Sequence, residues 1–81
     1  VNITAVADVV IMPNPASTFV NVYSNTTIQQ IQLINAKGRL LQTIKPLTPG
    51  YRLQIESLSA GEYFLRIETG NEIVNKKFVK Q

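Results

Sequence analysis

The chain contains no cysteine, no histidine and no tryptophan among its 81 residues. Without cysteine it can form neither a disulfide framework nor a cysteine-ligated zinc site. Without histidine it lacks the side chain that most often moves protons near neutral pH, and without both residues the common nucleophile–base pairs cannot be assembled. We therefore predict no catalytic residue, no metal site and no cofactor.

Carboxylates are also scarce. Asp8 is the single aspartate, and Glu62 and Glu68 are the two glutamates that strand alternation places on one face. Such a pair could serve as acid and base in a glycosidase, but charges on a solvent face are typical of any half-buried strand. No carboxylate cluster suits calcium and no glycine-rich phosphate loop is present. We predict that the chain is not an enzyme.

Charge and hydrophobic runs exclude two further classes of protein. No apolar run approaches the ~20 residues that span a bilayer. The net charge is only +3, with Lys76, Lys77 and Lys80 near the end of the sequence. A nucleic-acid-binding protein would present a wider basic face with interleaved aromatic residues, so we expect no nucleic acid partner. These lysines are also what an edge strand carries as protection against aggregation.

The sequence does contain short runs of alternating or apolar residues, separated by turn residues. The runs that predict strands are 9–12, 18–24, 28–34, 39–45, 51–56, 62–68 and 73–81. The predicted turns are 25–27, 35–38, 49–50, 59–61 and 70–71. About seven short strands in so small a chain predict an all-β sandwich of antiparallel strands, with a small barrel as the alternative.

Alternation also predicts which side chains face the core. The residues expected to point inward are Val20 and Val22, Ile31 and Leu33, Tyr51, Leu53 and Ile55, and Tyr63, Leu65 and Ile67, with Phe19 and Phe64 on the opposite faces. Residues 9–81 form one domain in this prediction. Residues 1–8 show no firm pattern and are expected to be a linker or a loosely attached strand. Because the sequence begins with Val1 rather than Met and shows no signal peptide, we expect it to be a piece of a longer protein.

Three segments, in this order and spacing, resemble one protein family. They are Pro13-Asn14-Pro15-Ala16 after a short apolar strand, the hairpin at 35–39, and Leu58 to Tyr63 followed by the lysine-rich strand. Together they resemble the C-terminal sorting domain of cargo proteins exported by the type IX secretion system. The resemblance implies an Ig-like β-sandwich of about seven strands, preceded by a linker from an upstream cargo domain.

The function that the resemblance implies is a sorting signal that directs the cargo across the outer membrane. The domain would pass through the periplasm and reach the cell surface or the medium. Its partners would be the translocon and the surface sortase components of the system, which commonly remove the domain and can join the cargo to an anionic lipopolysaccharide. The expected recognition residues are those at the motif positions together with the lysines, namely Pro13, Asn14, Pro15, Gly38, Leu58, Gly61, Tyr63, Lys76, Lys77 and Lys80.

The terminal strand is expected to be an exposed edge that adds to a receptor sheet through backbone hydrogen bonds, with the lysines facing an acidic receptor surface. Two alternatives come from other classes of function. One is an Ig-like adhesion or carbohydrate-binding module, which should show a row of exposed aromatic residues. The other is an accessory domain that stabilises a neighbouring domain, which should show a large apolar outer patch.

Overall fold

A computed structural model describes residues 8–70 and 72–81. Residues 1–7, most of the predicted linker, and Asn71 of the predicted turn lie outside the described residues. The six strands are β1 (Val9–Met12), β2 (Phe19–Asn35), β3 (Leu40–Ile44), β4 (Thr48–Gln54), β5 (Gly61–Thr69) and β6 (Ile73–Lys80). Every pairing between them is antiparallel. The predicted all-β, antiparallel class is therefore confirmed.

Strand β2 organises the sheet because its two halves have different neighbours. Its first half lies between β1 and β4, and its second half lies between β3 and β5. Strand β6 pairs with the far side of β5. Hydrogen bonding is continuous through β2, so the described residues form one six-stranded sheet rather than the two separate sheets of about seven strands that the sequence predicts.

The difference in strand number arises at residues 25–27, where a turn was predicted and β2 instead continues. Asn25 and Asp8 exchange two hydrogen bonds, from Asn25 N to Asp8 O (3.2 Å) and from Asp8 N to Asn25 Oδ1 (2.9 Å). Thr26 and Thr27 are β-branched and favour extended backbone. The hydrogen bonds to Asp8 and the β propensity of the two threonines together outweigh the tendency of Asn25 to form a turn. The pairing of β2 with β4 is still irregular here, with a register shift between Tyr23 and Ile28.

A second predicted turn, at residues 49–50, also lies within a strand. Pro49 and Gly50 belong to β4, which pairs with β2 along one side in the described structure. Proline is tolerated on an edge strand because its missing N–H faces away from the ladder. Gly50 lies against the Tyr23 ring, 3.6 Å from where a Cβ would stand. The prediction was wrong because sequence alone does not reveal which strand lies at an edge.

The sheet curls until both ends of β2 lie beside the end of β6. Ala16, three residues before β2, forms a bridge with Lys80, and Lys80 pairs with Gly61. Two residues beyond Gly61, Tyr63 pairs with Asn35, the last residue of β2. A straight strand of the 17 residues of β2 would hold its ends roughly 55 Å apart. Strand β2 therefore bends, and its two halves face each other.

Both halves of the curled sheet bury their apolar residues in one core. The buried apolar residues are Val9, Ala16, Val20, Val22, Ile28, Ile31, Leu33, Leu53, Ile55, Tyr63, Leu65, Ile67 and Phe78. Apart from Tyr51, which is half-buried and packs against this core, every residue that alternation placed inward is in this set, and Phe19 and Phe64 lie on the opposite faces as predicted. The described residues include no helix that could cross a membrane.

Gly61 begins β5 with a φ of +149°, a conformation that residues with a side chain rarely adopt. Glycine is therefore favoured at the end of the predicted turn at 59–61. The hydrogen-bonded turn itself lies earlier, since Leu58 N donates to Ile55 O over 3.0 Å.

We predict that Gly61→Ala lowers the free energy of unfolding by about 1–3 kcal/mol through backbone strain, since nothing lies within 4 Å of the new Cβ. Gly70→Ala is the matched control, because it also faces open space and has no positive φ; it should change stability by less than about 0.5 kcal/mol. Urea denaturation measures both. Equal stability of the two variants would contradict the strain at Gly61.

Candidate recognition surface

The Pro13–Ala16 segment is bound to the outer edge of β6. The Asn14 side chain donates from Nδ2 to Lys77 O (3.2 Å) and accepts at Oδ1 from Val79 N (3.0 Å). The Ala16 backbone continues the contact, with Ala16 N donating to Val79 O and Gln81 N donating to Ala16 O, both over 2.8 Å. We call this set of four hydrogen bonds the Asn14 clamp. Both prolines of the segment follow cis peptide bonds.

The Asn14 clamp corrects the prediction that the terminal strand is an open edge for a receptor. Along this edge, the outward backbone groups from Lys77 O to Gln81 N, namely Lys77 O, Val79 N, Val79 O and Gln81 N, are already hydrogen-bonded within the chain. A receptor strand could pair there only by displacing the clamp. The sequence suggested a free edge because the partner segment lies more than 60 residues away along the chain.

The three lysines of β6 do not form one exposed row. Lys77 is on the outer face and forms an exposed ion pair with Glu62, with 3.6 Å between Nζ and Oε2. Lys76 is half-buried on the opposite face, and Lys80 is only 8% exposed, with its Nζ donating to Gln81 O over 2.9 Å. The expectation that all three face a receptor is wrong for Lys80, because strand alternation turns it toward the core.

Tyr63 fixes the loop that precedes β5. Its buried ring stacks on Phe78 with 5.6 Å between centroids, and its hydroxyl donates to Ser59 O over 2.7 Å. Leu58, in the same loop, packs against the core. Because an aromatic ring and a hydroxyl act together, the Tyr63 side chain both fills the core and holds residues 58–60 in place.

Gly38 lies in the tight turn between β2 and β3, as the sequence predicted. Its φ is +84°, and its N–H donates to Asn35 O over 2.9 Å. The Asn35 side chain closes the same turn by accepting from Lys37 N (3.0 Å) and Arg39 N (2.9 Å). Asparagine is a frequent turn residue for this reason, since its side chain satisfies backbone donors two or more residues ahead.

The motif positions, far apart in sequence, converge at one end of the curled sheet. We call this the motif end and define it as residues 13–16, 35–38, 58–62 and 77–81. Asn35 pairs with Tyr63 and Tyr63 with Phe78, while Gly61 pairs with Lys80. A shallow depression lies between residues 35–37 and 59–63. Lys76 lies outside the motif end.

The chain enters the domain at the opposite end. Asp8 is bonded to Asn25, at the bend of β2, and Ile28 just beyond the bend pairs with both Thr48 and Thr69. We call this the entry end and define it as Asp8 with residues 24–28, 45–48 and 69–70. What precedes the domain is thus attached away from the motif end.

The described residues offer no arrangement for metal chemistry: no three of their carboxylates come together. Glu62 and Glu68 are exposed on the outer face of β5, as alternation predicted. Sequence reasoning missed Ala16, Val79 and Gln81, whose contribution to the motif end is backbone hydrogen bonding. Among the residues of the clamp, only Asn14 could have indicated this contact from sequence, because its amide side chain carries a donor and an acceptor that match the backbone groups of a strand edge.

A comparison with protein families identifies one match. The family model described as "Secretion system C-terminal sorting domain" matches residues 10–81. The match covers all six strands except Val9, the first residue of β1, and it includes both sides of the Asn14 clamp. No curated protein matches the chain.

We predict that Asn14→Ala lowers the free energy of unfolding by about 1–3 kcal/mol, because two hydrogen bonds worth about 0.5–1.5 kcal/mol each are lost. Asn75→Ala is the matched control: it removes an exposed amide from β6, the strand that Asn14 binds, at a position without an observed side-chain hydrogen bond in the described structure. The amide hydrogen of Val79 should also exchange faster with solvent in the Asn14→Ala variant, but not in the Asn75→Ala variant. Unchanged exchange at Val79 would contradict the clamp.

Proposed function

Because the chain belongs to the family of type IX secretion C-terminal sorting domains, we propose that the secretion machinery recognises it at the motif end. The domain is a C-terminal sorting signal for type IX secretion, which leads to the cell surface or the extracellular space. It therefore works with the type IX machinery and with a cargo upstream. The observation that supports the motif end is the convergence of separated motif positions on one surface.

The arrangement of the two ends supports this assignment physically. A cargo attached at the entry end leaves the motif end accessible, so one domain can serve cargoes of any shape. Lys77 offers an exposed charge there that would attract an acidic receptor surface and speed encounter. Gly38, Leu58, Gly61 and Tyr63 act through the shape of the loops around the depression, and Pro13, Asn14 and Pro15 through the clamp.

The same proposal covers the folding of the domain before export and its removal after export. The domain folds in the periplasm without a cofactor, and it performs no reaction of its own. After export the surface sortase removes the domain by cutting in the linker that precedes it, and it can join the cargo to an anionic lipopolysaccharide. The two halves of β2, each with its own neighbours, serve as the two layers of a sandwich-like body.

The carbohydrate-binding alternative has no comparable support in the described residues. The guanidinium carbon of Arg52 lies 4.1 Å from the centroid of the Phe19 ring, so that ring is covered rather than available for sugar stacking. Tyr51 is half-buried, and Tyr63 is buried. Tyr23 is exposed, but a planar row of exposed rings does not form.

We predict that residues 1–81, fused behind a signal peptide and a fluorescent cargo, send that cargo to the surface or medium of a host with the type IX system. The matched control carries Gly61→Ala and Asn14→Ala together, which loosen the motif end, and it should be exported less. Immunoblots of periplasm, surface and medium measure the distribution. Retention of the folded wild-type fusion in the periplasm would refute the sorting function.

We predict that Lys77→Gln lowers export while the domain stays folded, since an exposed ion pair contributes only about 0–1 kcal/mol. Arg66→Gln is the matched control: it removes the same charge from the outer face of the neighbouring strand, further from the motif end. Thermal denaturation confirms folding of both. Equal export of the two variants would show that the secretion machinery does not recognise the charge of Lys77.

A further inference from the structure

Three strands of the described sheet, β1, β3 and β4, have a whole edge without a partner, and β6 has an open edge only at residues 73–76, which include the charged Lys76. Unpaired edges attract other strands, and proteins usually protect them with proline, charge or short length. Strand β1 has four residues and is followed by Pro13, and β4 contains Pro49 and Arg52. Strand β3 differs, because Leu40-Leu41-Gln42-Thr43-Ile44 contains neither a proline nor a charge. Its one irregularity is the register shift beside Leu41.

The outward backbone groups of β3 can be identified from the ladder. Asn35 N donates to Arg39 O, so the odd-numbered residues in this part of β2 direct their backbone toward β3. Gln42 and Ile44 lie opposite odd-numbered β2 residues and face them. Thr43, between the two, directs its N–H and C=O away from the sheet.

An apolar stripe leads across the outer face to this edge. Phe64 pairs with Ile34, and Ile34 pairs with Leu40, so the three side chains lie side by side on one face. Leu40 and Phe64 are 49% and 37% exposed. A strand added beside β3 would continue this stripe if it carried apolar or β-branched residues.

The charges that flank β3 determine which kind of partner strand could pair with its open edge. Arg39 and Lys45 stand immediately before and after the uncharged run, and both are exposed. In a second copy of the chain, the antiparallel register that pairs all five residues would place Arg39 opposite Lys45, and like charges directly opposite each other are destabilising. Acidic residues at both ends of a partner strand would instead be attracted.

We propose that β3 is a docking edge for an extended segment of another protein, in which apolar or β-branched residues are flanked by Asp or Glu. Backbone hydrogen bonds at Thr43 hold the segment, the stripe ending at Leu40 receives its side chains, and Arg39 and Lys45 select acidic flanks. This surface is separate from the motif end, and its test measures binding rather than export, so failure of one proposal leaves the other intact.

The test uses two synthetic peptides with the same Val-Thr-Val-Thr-Val centre, one flanked by Glu-Glu at each end and the other by Lys-Lys. Each is titrated into the isotopically labelled 81-residue chain, and amide NMR shifts are followed. We expect the acidic peptide to shift amides of residues 39–45 and to bind about fivefold more tightly or better, the effect of two exposed ion pairs. This preference should weaken as salt is raised.

Two variants make the result decisive. Thr43→Pro removes the outward N–H without removing a hydrogen bond to β2, and it should abolish the shifts. The double variant Arg39→Glu/Lys45→Glu changes only exposed side chains and should reverse the preference, so that the basic peptide binds more tightly. Equal binding of both peptides to the wild-type chain, shifts confined to other strands, or concentration-dependent pairing of β3 with a second copy would each overturn the proposal.

Discussion

The structure depends on the attachment of residues 13–16 to the outer edge of β6. This contact joins the segment that leads into β2 to the last strand of the sheet, so it closes the curl. Asn14 supplies side-chain hydrogen bonds to Lys77 and Val79, and Ala16 supplies backbone ones. Together with the shared core, these bonds fix how the two ends of β2 lie relative to each other, and they bring residues 13–16 onto the surface formed by the other loops of the motif end.

Closure of β6 also changes how this domain can be recognised. A free terminal strand would offer a receptor a generic row of backbone donors and acceptors, which any extended segment could bind. A closed edge instead presents loop shapes and the exposed charge of Lys77. Recognition of such a surface requires the folded domain, because Asn35, Tyr63 and Lys80 meet only after the sheet has formed.

Much of the fold could be predicted from alternation, and the reasons for the failures are physical. The inward positions of Val20, Leu65 and Ile67 follow from a period of two, which is local information. The continuation of β2 through Asn25 could not be predicted, because Asp8 provides the hydrogen bonds that satisfy it. The burial of Lys80 was missed because lysine is rarely buried, although alternation from Phe78 would have indicated it.

The candidate site was predicted as a set of motif positions but not as a surface. Turn chemistry identified Gly38 and Gly61, both of which have positive φ. The role of Asn14 was not predicted, since its partners lie on a strand more than 60 residues away. Long-range pairing of this kind is determined by topology, so the amide of Asn14 could indicate that it binds a strand edge but not which strand.

Site-specific photo-cross-linking during export would test recognition of the motif end most directly. A photoreactive residue is placed at Ala36 or Ser59, which are exposed at the motif end, or at Thr27, which is exposed at the entry end. If the motif end is recognised, Ala36 and Ser59 should form cross-links to the secretion machinery and Thr27 should form few. Cross-links from Thr27 with none from the other two positions would contradict it.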